Sequence, residues 1–448
     1  MPKKLYIVHC IDTEGPLYEG LEANFERLNN IFGISLEPTQ ENLDLLRNEE
    51  LDIPNKKAVA NMLATKRTTF NENWDQISNM LDYFNSQKFN EEYVDSYSKA
   101  WKFNWFCLDH VGFTGQNPRR RDAGDHKVYD FYKNFFRNNP NHDVQWHYHP
   151  LPLSGHFNAS GTTYLNSSNI SEILCKKIID RRWFPSSYRP GFHTERPDSH
   201  WFLEQWIPFD YGNQSMEVID DSQPDLANGR FGNWQGAPND WSLYHPHHDD
   251  YRKVGNCRRL IARCLNMESR VRCMTLPEVH KAFQRANNGE ETILSFTNHD
   301  FRNMIPEIKK TYSMIQQSAT KFPEVNFEFS NSIEAIRKVM KLDTQSPKLI
   351  YEFIKDKSKA SATLIVKSEG KVFGPQPFLA IKTTDNKYIW ENFDFNKSNE
   401  WSYTFDANNS EIDSIDSIGV ASNSTSGVTQ VINIDFSTGK GSEKLYNS

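Results

Sequence analysis

No stretch of the 448-residue chain approaches the ~20 consecutive apolar residues that cross a bilayer, so no membrane span is expected. The first residues, MPKKLYIVHCIDTEG, hold an apolar run too short for the hydrophobic region of a signal peptide, and acids follow at once. Cysteine is sparse: Cys10, Cys107, Cys175, Cys257, Cys264 and Cys273 are scattered, with no CxxC pair and no dense framework. That pattern excludes a disulfide scaffold and fits reduced thiols in a reducing compartment, so a soluble cytoplasmic protein is expected. There is no excess of positive charge either. Lys and Arg number 51 against 58 Asp and Glu, giving a net charge of −7, which argues against a general nucleic-acid binder. No internal repeat at a solenoid period is visible. Neither composition nor motif fixes an oligomeric state.

Aromatic side chains are plentiful, with 30 Phe, 18 Tyr and 11 Trp making 13% of the chain. A globular protein with ring-lined surfaces for a small or neutral ligand follows from this. The length suggests two or three domains at roughly 100 to 200 residues each.

Residues 4 to 12 read as a buried strand. From about 17 to 105 the pattern turns polar and helical, predicting helices inserted after that strand. Short apolar segments then recur, WFCLDH (105 to 110), DVQWHYHP (143 to 150), SSYRPGF (186 to 192), QWIPFDYG (205 to 212) and TILSFTNHD (292 to 300), with helical stretches such as 169–181 and 305–319 between them. Strands alternating with helices predict a parallel α/β arrangement, and the polar residues gather at the C-terminal ends of the strands, which in a parallel barrel is where active sites form. After about Lys341 the helical signal fades and alternating segments between Gly, Asn, Asp and Ser turns predict an all-β, sandwich-like domain. The expected division is an α/β domain over 1–342, with the helical insertion, and a β domain over 343–448.

HCIDTEGP places Asp12 and Glu14 two residues apart at the end of the first strand, on one face if the chain stays extended. Two carboxylates facing one point are costly unless something positive lies between them. VQWHYHP does the same with His147 and His149. Two histidines and one carboxylate are a common ligand set for catalytic zinc with an open position, and the set also suits non-heme iron. One acid would suffice as a ligand, leaving the other as general base. Arg189 of YRPGF could hold that base through a bidentate contact, and His299, followed by Asp300, could act as general acid.

In chain order HCIDTEG, WHYHP, YRPGF, LEQWIPFDYG and ILSFTNHD resemble the motifs of the NodB-homology polysaccharide deacetylases, carbohydrate esterase family 4, over about residues 3 to 340. The resemblance implies a deformed (β/α) barrel and a divalent metal, zinc foremost with iron, cobalt, manganese or nickel as alternatives. The implied reaction is deacetylation of an N-acetylated sugar or glycan precursor, with metal-bound water attacking the acetyl carbonyl. It assigns Asp12 as base, Glu14, His147 and His149 as metal ligands, Arg189 as the residue that holds the base, and His299 as acid. The chain departs from the family in three places. Its usual Asp-Asp is Asp-Thr-Glu, its usual histidine spacing of three intervening residues is cut to Tyr148 alone, and the insertion after the first strand is long. With that spacing His142 or His156 could replace His149, and Asp300 or Asp210 could replace His299. Two alternatives are hydrolysis of a non-sugar C–N bond on the same barrel, and a glycan-binding or scaffold protein that has lost catalysis.

For the sugar itself, Trp234 and Trp241 in GNWQGAPNDW, with Tyr211 and Asp210 of FDYG, are the expected contacts, whereas Trp201 and Trp206 are expected in the core. YHPHHDDY (His245, His247, His248, Asp249, Asp250) raises the thought of a second metal cluster, with a solvated loop as the stronger reading. NPRRRD (Arg119, Arg120, Arg121) could bind phosphate but fits a solvated face better, and the three cysteines from 257 to 273 are expected to pack a helix.

Overall fold

The strand β1 (Lys3–Thr13) sorts its side chains by parity. Leu5, Ile7 and Ile11 enter one apolar cluster, while Tyr6, Val8 and Cys10 enter another. A strand covered on both faces is the signature of a parallel sheet between helices and an interior. The computed structural model describes residues 3–109, 126–137, 139–150, 163–165, 169–218, 232–269, 271–356, 358, 360–408 and 412–447.

Along one edge β1 pairs through Leu5–Asp12 with β9 (Thr292–His299); along the other its first half pairs with β10 (Val325–Phe329) and its second with β2 (Phe103–Asp109). From β2 the sheet continues through β3 (His142–Tyr148), β4 (Ser187–Pro190), β5 (Phe209–Asn213) and β8 (Leu260–Asn266) back to β9, every pairing parallel. The result is a closed seven-stranded parallel barrel, with β10 as an extra strand beside the lower half of β1. A small antiparallel hairpin, β6 (Pro246–His247) with β7 (Asp250–Val254), stands between β5 and β8. No helix among the described residues is long and apolar enough to cross a membrane.

The insertion is helical as expected, but it ends earlier than residue 105: its last helix is Gln87–Glu92, and Phe103 already belongs to β2. Helices α1 (Leu21–Phe32), α2 (Gln40–Arg47) and α3 (Lys56–Leu63) share their own small core of Phe25, Leu28, Leu43, Leu46, Val59 and Met62. After the short α4 (Thr65–Thr68), α5 (Trp74–Asn85) lays Ile77, Leu81 and Phe84 onto the barrel. Asn71 N–H donates to the Phe301 carbonyl (2.7 Å) and the Leu17 N–H to the Asn71 carbonyl (3.0 Å), so the insertion is tied to the barrel mouth.

Two strands of the barrel sheet, β8 and β10, are absent from the sequence-read segments. LIARCLN carries Arg263 at its centre, and VNFEF alternates with polar residues, so neither shows a clean apolar run. The cysteines expected on a helix lie elsewhere: Cys264 is on β8 inside the barrel, and Cys257 and Cys273 are in connecting segments. Trp206 is buried as expected, but Trp201 is 51% exposed on the outer side of α9 (Pro197–Trp206).

The C-terminal part holds β11 (Leu349–Asp356), β12 (Ser361–Ser368), β13 (Phe378–Thr383), β14 (Tyr388–Glu391), β15 (Asp394–Lys397), β16 (Glu400–Phe405), β17 (Ile415–Asn423), β18 (Thr429–Asp435) and β19 (Gly441–Tyr446). They form two antiparallel sheets, β11-β12-β16-β15 and β14-β13-β17-β18-β19. Leu364 and Val366 of the first meet Leu379, Ile381, Ile418 and Ile432 of the second in one core. The alternate residues Phe378, Ala380, Ala421 and Val431 point the other way and join the barrel's own core.

Candidate metal centre

Glu14 lies one residue past β1, and its direction is set by the turn that follows. Gly15 takes a left-handed φ of 75°, with the Trp74 ring 3.0 Å from where a Cβ would be. The carboxylate of Asp300, just past β9, accepts the N–H of Glu14 (2.8 Å), the N–H of Gly15 (2.9 Å) and the hydroxyl of Tyr132 (2.8 Å). Burial pushes Asp300 up to about 7 against the pull of these donors. Asp300 therefore shapes the turn and has no free oxygen to serve as an acid in place of His299.

His147 sits on β3 between Leu108 of β2 and Arg189 of β4. Its Nδ1–H donates to the Arg189 carbonyl (2.8 Å), which leaves Nε2 as the lone-pair nitrogen. His149, past the strand end, folds its ring against Gly191, where a Cβ would fall 2.3 Å from the ring carbon Cδ2. Only glycine permits that approach, which gives the PGF sequence a structural reason.

Nε2 of His147 and Nε2 of His149 are 2.9 Å apart, and they lie 3.9 and 3.6 Å from the same Glu14 oxygen, Oε1. Among the described residues these three form the group whose ligand atoms converge as a metal site requires. A point equidistant from the three atoms is about 2 Å from each, the bond length of zinc to imidazole nitrogen and carboxylate oxygen. The donor set therefore fits a divalent ion of that size. One intervening residue between the histidines is enough, because His149 leaves the strand and turns back. His142 is at the other end of β3, stacked on Phe136 with ring centroids 3.6 Å apart and accepting the Trp105 indole N–H, so it is no substitute. His156 and Arg119, Arg120 and Arg121 lie outside the described residues.

Asp12 faces this cluster from inside the barrel. Arg189 grips it with two parallel bonds, Nε to Oδ1 at 2.5 Å and NH2 to Oδ2 at 3.0 Å, and donates through NH1 to the Tyr211 carbonyl (2.6 Å). Burial alone would raise the Asp12 pKa, but Arg189 first, then His147 and His299, hold it well below the usual carboxylate range. His299 closes β9, in register with Asp12, and its Nε2 is 3.9 Å from Asp12 Oδ2 and 3.8 Å from Glu14 Oε1. Its side chain keeps 30% of its surface open. Burial lowers its pKa to about 4, against the two carboxylates, so the ring is neutral near pH 7. The opening carboxylate pair thus has its positive partner in Arg189, and its lone pairs meet two imidazole nitrogens.

The expected sugar contacts are not presented to a ligand. Trp234 is fully buried, donates its indole N–H to the His193 carbonyl (2.8 Å) and packs with Tyr244, Tyr251 and Ile261. Trp241 is 2% exposed, donates to the Glu278 carbonyl (3.0 Å), and has the Arg263 guanidinium 4.4 Å over its ring. Tyr211 points into the barrel core, with its hydroxyl on the Ser332 carbonyl (2.6 Å). Asp210 points the opposite way, paired with buried Arg259 (2.7 Å), which also holds Glu195 (2.7 Å). These four are structural, and a Gly-Pro-Asn setting misled because such loops also fold over the barrel wall. Trp234→Ala is accordingly expected to cost about 3–5 kcal/mol of stability while leaving any metal uptake unchanged. Chemical denaturation beside elemental analysis checks this. The histidine-rich loop is exposed, with His248 on Asp249 (2.9 Å), as a solvated loop should be.

Asp300 as an anchor and Gly191 as a seat for His149 are the functional residues that sequence reading missed. Their only signal was position, one residue beyond His299 and two beyond Arg189. No protein-family model matches the chain, and no curated protein matches it.

Proposed function

We propose that the chain is a metal-dependent hydrolase of the NodB-homology type that removes an acetyl group from an N-acetylated sugar. The observation that carries the reading is the convergence, at the C-terminal end of the barrel strands, of a three-ligand cluster (Glu14, His147, His149) with an arginine-gripped carboxylate and a neutral histidine: Asp12 lies 3.8 Å from His147 and 3.9 Å from His299, and His299 lies 3.8 Å from Glu14. Structural binding of a metal would need the cluster alone. It would not need a buried Asp12–Arg189 pair whose carboxylate also faces His147 and His299.

A divalent ion would be held by Glu14, His147 and His149, and would supply Lewis-acid polarisation of the acyl carbonyl and a water of lowered pKa. The chain's own residues supply proton management. Asp12, kept ionised and fixed in direction by Arg189, accepts the proton of the attacking water. Because Arg189 makes that carboxylate a weak resting place for a proton, transfer onward is favoured, and His299 is the neighbouring acceptor. His299, partly open to solvent, then delivers the proton to the departing nitrogen. The choice of an acetylated sugar rests on the barrel motifs that resemble the family; the buried tryptophans do not contribute to it.

Reconstitution with zinc, elemental analysis, and an assay for acetate released from N-acetylglucosamine oligomers test the reading together. Stoichiometric zinc with acetate release is expected. A wild-type protein that binds no metal after reconstitution would overturn it.

A further inference from the structure

The turn after β9 carries an arginine that the roles above leave unused. Arg302 donates its backbone N–H to the His299 carbonyl (3.2 Å), and its own carbonyl accepts from Asn71 of the insertion (3.1 Å). Its guanidinium carbon is 5.6 Å from the centre of the Phe301 ring. Nε is buried without a hydrogen-bond partner, and among the described residues no carboxylate stands within ion-pairing distance of the group.

Two further arginines of the insertion act on it electrostatically. With burial as the larger cause, Arg67 of α4 and Arg27 of α1 lower the Arg302 pKa, against Glu307 and Glu14. Arg27 pairs with Glu19. Arg67 donates to Asn61 Oδ1 (3.2 Å) and to the Ser269 carbonyl (3.0 Å). Of the nearby acids, Glu307 is engaged by Asn298 (2.8 Å) and lifted to about 7 by burial, and Glu14 faces the histidines. A guanidinium with a buried, unpartnered nitrogen and no counter-charge is costly unless an anion completes it. A guanidinium with free donors is the group best shaped to receive two oxygens of such an anion.

We propose that Arg302 is an anion subsite beside the metal centre that takes a carboxylate or phosphate group carried by the substrate. The subsite deepens the hydrolase reading. Its claim about substrate rests on that reading, whereas anion binding itself does not. In one substrate the acyl group would lie at Asp12 and His299 and the acidic group at Arg302, so the sugar would be acidic or phosphate-linked.

Calorimetric titration of metal-free full-length protein at low ionic strength, where charge is least screened, with inorganic phosphate, glucuronate and glucose 1-phosphate tests it. Saturable binding is expected, weakened at least ~10-fold by Arg302→Gln and less by Arg302→Lys. Arg285→Gln should change nothing, since Arg285 pairs with Asp240 and Glu290 in the last turn of the helix Leu276–Asn287, which leads into the start of β9. The tighter of the two sugar acids names the source of the anion. Absence of saturable binding, equal binding by Arg302→Gln, or equal loss in Arg285→Gln overturns the subsite. Anion binding through Arg302 in a protein that never takes up zinc would sink the hydrolase reading and leave the subsite standing; zinc uptake without anion binding would do the reverse.

Discussion

If the chain is the proposed hydrolase, Asp12→Asn is expected to keep bound zinc and lose acetate release by a factor on the order of 10² to 10⁴, whereas Glu14→Gln is expected to lose zinc affinity first and activity as a consequence. The difference follows from where the two oxygens lie. Glu14 Oε1 is the atom shared by both histidine contacts, so an amide there removes an anionic ligand from the centre. Asp12 has both oxygens on Arg189 and reaches His147 only at 3.8 Å, on the nitrogen that faces away from the cluster. High zinc should partly restore Glu14→Gln and do nothing for Asp12→Asn. Stability must be followed in parallel, because Asp12→Asn leaves the Arg189 charge buried without its counter-charge, a change worth about 3–5 kcal/mol where a buried pair is broken. Elemental analysis, acetate assay and thermal melting of the same preparations separate the effects. Variants that lose metal and activity in step would remove the distinction between base and ligand.

The candidate centre was legible because strand chemistry is local. Alternation along β1 puts Asp12 on the interior face with Tyr6, Val8 and Cys10, and the same parity brings His147 there on β3, while Glu14 is directed by the turn after the strand. What was hidden depends on partners distant in sequence. GNWQGAPNDW carries every mark of an open loop, yet Trp234 is buried because the His193 carbonyl and Tyr251 happen to cover it. Asp300 looked like a spare acid, and only the return of β9 beside β1 shows its oxygens spent on the Glu14 turn. β8 escaped notice because Arg263 interrupts its apolar run, and Arg263 is tolerated there through Glu278 (2.6 Å) and Trp241.

A chain ending after Leu342 is expected to fail to fold, which reverses the separability that the polar, proline-containing stretch near 343 to 347 suggests. The sheet built on β13 and β17 is apolar on both faces. One face serves the sandwich, and the other gives Phe378 to Phe184 and Trp206, with centroids 5.6 and 5.1 Å apart. Small residues bring the two parts close: a Cβ on Gly419 would lie 2.4 Å from Ile178 Cγ2 of α8 (Asn169–Arg181). Polar groups are matched across the same seam. Asn423 donates to the carbonyls of Pro185 (2.7 Å) and Trp206 (2.9 Å), Asn433 to those of Ile178 (3.2 Å) and Ile179 (3.0 Å), and Arg337 to that of Ser426 (2.6 Å). Truncation would expose the apolar side of α8 and strip these partners at once, against a total stability of about 5–15 kcal/mol for a typical domain. Within the full chain, Asn423→Ala isolates one part of the seam and should cost about 1–3 kcal/mol, since it leaves two buried carbonyls without their donor. Chemical denaturation should show one cooperative transition that moves as a whole in this variant. A soluble 1–342 fragment with wild-type zinc affinity, or two separate transitions in the full chain, would show that the sandwich is a passenger and not part of the barrel's core.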